Sequence, residues 1–311
     1  MATNPGLTLS AVASALRQGA YPRELTFSRA RDYHLYTADG RRYLDCILAG
    51  GSAPLGHNPP GLTQAIKNRL TAGPAAPLAK NGGYGKLRQA VRRLFPAVSR
   101  VTPVSLSAAL EQLPADMPVW RPFAAQLPPG APEPPAPAFL ISPLLPLADE
   151  LLLYCETAPL DPRDTAAAAG APGPNPAGVA AEGLTAAASA AAAAAIAGRE
   201  PEATPVSPVV IAGLTKAVHL VATACEGGVL PRKLSSAETD AWREPMEEAG
   251  MWRREGIYYR WAGAERQYHR LREELEEAGI LIPPDNGVAM VMPRIVTAHE
   301  RSLWERIHST L

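Results

Sequence analysis

The 311-residue sequence has no excess of charge: 30 Lys and Arg are matched by 30 Asp and Glu, and neither sign gathers into a block. A strongly electrostatic partner, such as a nucleic acid or an anionic membrane surface, is therefore not expected. Cysteine is scarce. Cys46, Cys155 and Cys225 are odd in number and far apart, and none sits at a metal-ligand spacing. That pattern points to reduced thiols in a cytoplasmic protein. The first residues lack a charged region followed by an apolar core, so no signal peptide is expected. Gly183 to Ala197 is uncharged and mostly Ala, but it is shorter than the ~20 apolar residues a membrane span needs. A close-packed helix is the expectation there. There is no internal repeat.

What is present is unevenly distributed. Apolar residues make up 47% of the chain, enough for a sizeable core. Ala and Pro concentrate between Pro114 and Pro208. Near the N-terminus, Leu9, Val12 and Leu16 lie at helical spacing. Tyr33–Thr37 and Arg42–Ile47 alternate as strands, and Asp39-Gly40 between them is a hairpin turn, since Gly takes positive φ without steric cost. Ala49 to Pro54 reads as a loop. Leu62, Ala65, Ile66 and Leu70 mark one helix face, and Leu87, Ala90, Val91 and Leu94 another.

Past Val98 the pattern weakens. "AQLPPGAPEPPAPA" (Ala125 to Ala138) is an extended linker or surface loop, because Pro removes amide donors and fixes φ. Phe139 to Leu153 is mostly apolar and fits a strand or a buried helix. Asp161 to Ala181 reads as a loop. Val206 to Ile211 is a β-branched run predicting a strand, with Leu214, Ala217, Val218 and Val221 giving a helix directly after it. The C-terminal part is clearer. Tyr268, Leu271 and Leu275 form a stripe, with Arg270/Glu274 and Arg272/Glu276 as i,i+4 pairs and Gly279 as helix cap. Ile280–Ile282 is predicted as a strand, and Val288–Val296 as another interrupted by Pro293. Thr297 to Glu300 is a capping box opening a last helix.

With these elements placed, the hairpin residues Tyr36, Asp39-Gly40 and Tyr43-Leu44-Asp45, then Gly50-Gly51, Leu55-Gly56-His57 and Pro60, resemble the N-terminal region of class III aminotransferases. These are pyridoxal-phosphate (PLP) enzymes that include glutamate-1-semialdehyde aminomutase. "YHRLREELEEAGILIPPDNGVAMVMPRIVTAHERSLWERI" resembles the same family's C-terminal small domain. The resemblance implies an α/β chain of the PLP-dependent transferase type I fold. Residues 1–95 would supply the N-terminal helix, the hairpin and the start of the large domain. Residues 96–241 would form a reduced, Ala/Pro-rich large domain, and 242–311 the small domain. It also implies a homodimer, because family members build their sites between subunits.

A PLP transaminase needs a Schiff-base Lys, a carboxylate on the pyridine nitrogen, backbone donors for the phosphate and an aromatic ring over the cofactor. The family's Asp-Glu-Val/Ile strand end, its Ser-Gly-x-Glu-Ala phosphate turn and its aromatic-His-Gly segment are missing. Gly213 to Ala217 resembles the Lys segment, so Lys216 is the candidate Schiff-base residue; the competing reading is a solvent-facing Lys beside His219. Asp149, Glu150 and Glu156 are the candidate acids. Gly50, Gly51 and Ser52, with Gly183 and Thr185, are the candidate phosphate contacts, the first three being equally suited to an interface. His57 fits a loop-fixing hydrogen bond or a ligand contact. Arg294 fits a surface residue or a carboxylate clamp. The aromatic run Met251 to Trp261 fits core or dimer packing, or a pocket wall. The reading favoured by these residues is an aminotransferase-like protein that has lost PLP catalysis and acts in binding or assembly. The alternative is an active aminotransferase or aminomutase on a small amino or amino-aldehyde substrate.

Overall fold

The computed structural model describes residues 8–18, 21–22, 24–73, 82–124, 138–145, 150–157, 201–225, 250–293 and 296–309. The expected linker from Ala125, the loop from Asp161, the Ala helix from Gly183, and Asp149, Thr185 and Arg294 lie outside them, or nearly so.

The two chain ends share one sheet. β1 (Phe27–Arg31), β2 (His34–Thr37) and β3 (Arg42–Asp45) form an antiparallel meander, and β10 (Ile280–Leu281) joins β3 in parallel. Gly40 turns the β2–β3 hairpin at φ +87, as its Asp-Gly signal requires. β1 escapes the sequence pattern because it is an edge strand, exposed along nearly its whole length. The Ile280–Leu281 run stays in strand because it follows the helix α7 (Glu265–Glu277) and Gly279, whose φ is +86. The Arg270–Glu274 and Arg272–Glu276 pairs on α7 close at 2.8 and 3.2 Å.

A second sheet runs β4–β7–β6–β5: β4 (Val98–Ser105), β7 (Leu151–Thr157) and β6 (Ala138–Ile141) are antiparallel, and the short β5 (Val119–Trp120) is parallel to β6. Side chains alternate between two cores. Phe139, Ile141, Leu151, Leu153 and Cys155 face helices α3 (Leu62–Thr71), α4 (Gly82–Leu94) and α6 (Pro208–Cys225). Leu140, Leu152, Tyr154 and Val104 face α1 (Leu9–Gln18) and α5 (Leu106–Gln112). A sheet covered on both faces carries apolar residues at every position, which removes the period-2 signal. That is why Phe139 to Leu153 fitted either a strand or a helix; its two ends belong to the strands β6 and β7.

One expectation is overturned. Val206 to Ile211 is not a strand. Pro208 opens α6, which runs unbroken to Cys225. Pro at the first helical position loses no intrahelical bond and has its φ already set. Ser207 precedes it, with the Val209 amide donating to its Oγ at 3.3 Å. The Ser-Pro pair was the start signal, and β-branched residues then fill a buried helix face. Among the described residues, α6 is the one helix long and apolar enough to cross a membrane. Its apolar residues Ile211, Leu214, Ala217, Val218 and Val221 are buried against α3 and α4, which accounts for its composition. The strand expected over Val288 to Val296 is likewise only β11 (Met290–Val291) among the described residues.

The aromatic run is core. β8 (Trp252–Glu255) and β9 (Tyr258–Trp261) form a hairpin that pairs with β11. Trp252 packs edge-on to Trp261 at 5.0 Å and lies against Tyr268 and Trp304. Fully burying one such ring contributes about 1.5–3 kcal/mol, so this cluster is a principal support of the C-terminal part. The last helix, α8 (Ala298–His308), opens with the expected capping box: Thr297 Oγ1 accepts from the Glu300 amide at 3.2 Å, and Glu300 Oε2 accepts from the Thr297 amide at 2.8 Å. Glu300 also accepts from His34 Nε2 at 2.8 Å and Arg42 Nη2 at 3.0 Å. One carboxylate thus ties α8 to both strands of the N-terminal hairpin.

Candidate functional site

Two groups of candidate residues were read from the sequence, and the structure places them among different neighbours. The first is the glycine loop after β3. Asp45, fully buried, organises it. Its Oδ1 accepts from the amides of Ile47 and Leu48 at 2.8 and 3.0 Å, and its Oδ2 from Tyr21 Oη and His57 Nε2, both at 2.7 Å. The Tyr21 hydroxyl in turn accepts from the Ala49 amide at 3.0 Å. His57 therefore makes a loop-fixing bond, through a carboxylate instead of the backbone. The Leu48–Gly51 turn runs entirely at positive φ, a course the Asp45 bonds hold in place for the two non-glycine residues. Gly56, at φ +83, lies against the Asp32 carbonyl so closely that a Cβ would stand 2.5 Å from its oxygen. The Leu-Gly-His turn is thus locked to the hairpin. Gly50 faces Ala15 and Leu16 of α1, while Gly51 faces Tyr258, Val291 and Arg121.

The second group surrounds Lys216, mid-way along α6. Its Cε would be 2.9 Å from a Cβ at Gly61, so the side chain lies across the N-terminus of α3. It lines a cavity of about 520 Å³ between α3, α4 and α6, with Arg69, Tyr84, Lys86, Ile211 and His219. His219 Nδ1 is 3.2 Å from Arg93 Nη1. None of the loop residues 50–52 reaches this cavity. Sequence reading placed His219 near Lys216 by helical spacing but missed Arg69, Tyr84 and Lys86, because they come from other helices and no local pattern links them.

The surroundings of Lys216 do not fit PLP among the described residues. None of the described residues that line the cavity is a carboxylate. Glu150 is exposed, and Glu156 is occupied at the far side of the sheet by Tyr154 Oη at 3.0 Å and Arg100 at 3.5 Å. Without an acid at its ring nitrogen the cofactor is no electron sink. The charged or basic groups that line the cavity with Lys216 are Arg69, Lys86 and His219. Burial raises the thiols of Cys46 and Cys155 above their ordinary range, so neither is a ready nucleophile.

No family model matches the chain. An uncharacterized protein of Treponema pallidum is 34% identical over 111 residues, 32% of this chain and 36% of that protein. A diaminobutyrate–2-oxoglutarate aminotransferase of Haemophilus influenzae is 43% identical over 56 residues, 17% of this chain and 12% of that protein. These matches therefore span well under half of either relative's own length. Among solved structures, Plasmodium falciparum ornithine δ-aminotransferase superposes with TM-score 0.57 at 11% identity, covering 96% of this chain and 97% of the other. Elizabethkingia anophelis acetylornithine aminotransferase gives 0.56 at 10%, covering 94% of each. A Sphaerobacter thermophilus omega-transaminase gives 0.54 at 12%, covering 98% and 97%. The chain has the α/β fold of these aminotransferases.

Proposed function

We propose that this protein keeps the aminotransferase frame without PLP catalysis and works as a homodimeric binding or assembly protein of the cytoplasm. The observation that carries this reading is the company of Lys216. It shares its cavity with Arg69, Lys86 and His219 and with no described carboxylate, while the glycine loop is committed to Asp45 and to the C-terminal hairpin. The free thiols of Cys46 and Cys155 support a reducing compartment.

The test is direct. Purified protein titrated with PLP is expected to show no saturable aldimine absorbance, and borohydride reduction followed by peptide mapping is expected to leave Lys216 unmodified. A stoichiometric pyridoxyl adduct on Lys216, abolished in Lys216→Ala, would establish the competing reading of an active aminotransferase or aminomutase. That reading draws its support from the fold likeness. For the assembly state, light scattering at micromolar concentration is expected to give twice the chain mass; a monomer mass throughout that range would end the dimer reading.

A further inference from the structure

We propose that Arg121, together with Ser52 and Ser142, forms a binding site for a small oxyanion, a carboxylate or a phosphate, where the parallel strands β5 and β6 end. Arg121 directly follows β5. It is 8% exposed, yet no ion pair or side-chain hydrogen bond to its guanidinium is found among the described residues, and its Nε is buried without a partner. The Tyr258 ring lies against it, with Cζ 4.4 Å from the centroid. Tyr258 is held in turn by its hydroxyl, which donates to the Pro122 carbonyl at 3.0 Å. A ring fixed in this way presents the guanidinium fork in one plane.

Arg121 has no hydrogen-bonded counter-ion among the described residues. Burial lowers its proton affinity, and Glu255 and Arg260 lie near enough to act on it with opposite signs. Arginine nevertheless stays protonated in proteins. A buried, unpaired cation is among the costliest things a fold can hold, whereas two buried hydroxyls could be met by a water.

The hydroxyls are there. Ser52 Oγ and Ser142 Oγ, on residues 1% and 4% exposed, have no hydrogen-bond partner among the described residues. Ser142 follows β6 as Arg121 follows β5. The pairing Trp120↔Ile141, and the bond from the Ser142 amide to the Trp120 carbonyl at 2.9 Å, set the two residues side by side. Ser52 arrives on the loop from β3: the Cβ that Gly51 lacks would stand 3.9 Å from Arg121 Cζ. Three segments, each carrying an orphaned polar side chain, thus come together at one corner, at the carboxyl ends of parallel strands, where open α/β sheets place ligands.

The inventory selects the ligand. A guanidinium only donates, and both hydroxyls can donate, so the missing partner is an acceptor with several oxygens and a negative charge. Carboxylate and phosphate both match an arginine fork. None of these residues lines the Lys216 cavity, so the site stands whether or not Lys216 meets a cofactor.

Calorimetric titration of the full chain in an anion-poor buffer, with inorganic phosphate and separately with succinate, tests this. At least one is expected to bind saturably at one per chain. Phosphate alone would identify a phosphate-bearing ligand, succinate alone a carboxylate, and both the shared oxyanion chemistry. Arg121→Gln is expected to abolish binding, and Ser52→Ala and Ser142→Ala each to weaken it about tenfold. No saturable binding of either anion, or binding unchanged in all three variants, overturns the proposal. Should Arg121→Gln fail to fold, the two serine variants, each a loss of one oxygen, decide alone.

Discussion

Asp45→Ala is expected to cost about 3–5 kcal/mol of folding stability, since several buried donors would each lose a partner at about 1–3 kcal/mol. The carboxylate accepts four bonds, from Tyr21, Ile47, Leu48 and His57, and each donor it leaves would be buried or half-buried without a partner. A typical domain has only about 5–15 kcal/mol in hand, so this single change would remove a large share. The loss should be local in origin. The loop it organises carries Leu48 and Ala49 at φ 46 and 51, a region that disfavours residues with a Cβ. The check is a urea-unfolding midpoint for Asp45→Ala, His57→Ala and the double variant. Partners in one network should give a double-variant loss smaller than the sum of the singles. A loss under about 1 kcal/mol for Asp45→Ala, well below that range, would show that the network is dispensable.

The second large effect lies at the other end of the chain and depends on pH. Burial by itself raises the Glu300 carboxyl, but the bonds from His34 and Thr297 outweigh it and bring it to about 2, against an ordinary 4.5. At 1.36 kcal/mol per pH unit the gap amounts to roughly 3 kcal/mol. Because the folded value is the lower one, this stability is fully present above about pH 4.5 and is lost as pH falls from there towards 2, with roughly half gone by pH 3. Glu300→Gln removes the charge. Its stability deficit relative to the wild type should therefore be greatest at neutral pH and shrink steadily below pH 4.5. Denaturant midpoints measured from pH 3 to pH 7 test this, and two parallel stability curves would refute it. Since His34 and Arg42 belong to the N-terminal hairpin, the deficit also measures how firmly the two chain ends are joined.

Both of these residues stood in legible motifs. The alternation on either side of Asp39-Gly40, the Leu-Gly-His turn, the stripe on α7 and the Thr297–Glu300 box are local patterns, and the structure realises each of them. Elements were misread where local pattern and tertiary use diverge. β6 and β7 are covered on both faces, so alternation vanished. β1 is an exposed edge, so it showed no apolar face. α6 is β-branched at its start, and its Ser-Pro entry looked like a strand edge.

The candidate site was less legible than the fold. Lys216 and the Gly50–Ser52 loop were marked by resemblance, but nothing in a linear pattern could tell that they would have separate neighbours. Arg69, Tyr84 and Lys86 join Lys216 only because α3, α4 and α6 pack together. Arg121 sits in an unremarkable Trp-Arg-Pro stretch. Its significance comes from being buried with no acid bonded to it among the described residues, near two serines from other segments whose hydroxyls are likewise without a partner there.

The sequence by itself determined the elements at both ends of the chain and their family likeness, because turns, caps and amphipathic stripes are written within a few consecutive residues. Only the tertiary structure decided which charges are paired, which are left alone, and where each candidate residue finds its neighbours. Burial and pairing depend on contacts between segments up to some 260 residues apart, as His34 and Glu300 are, and no local pattern encodes them.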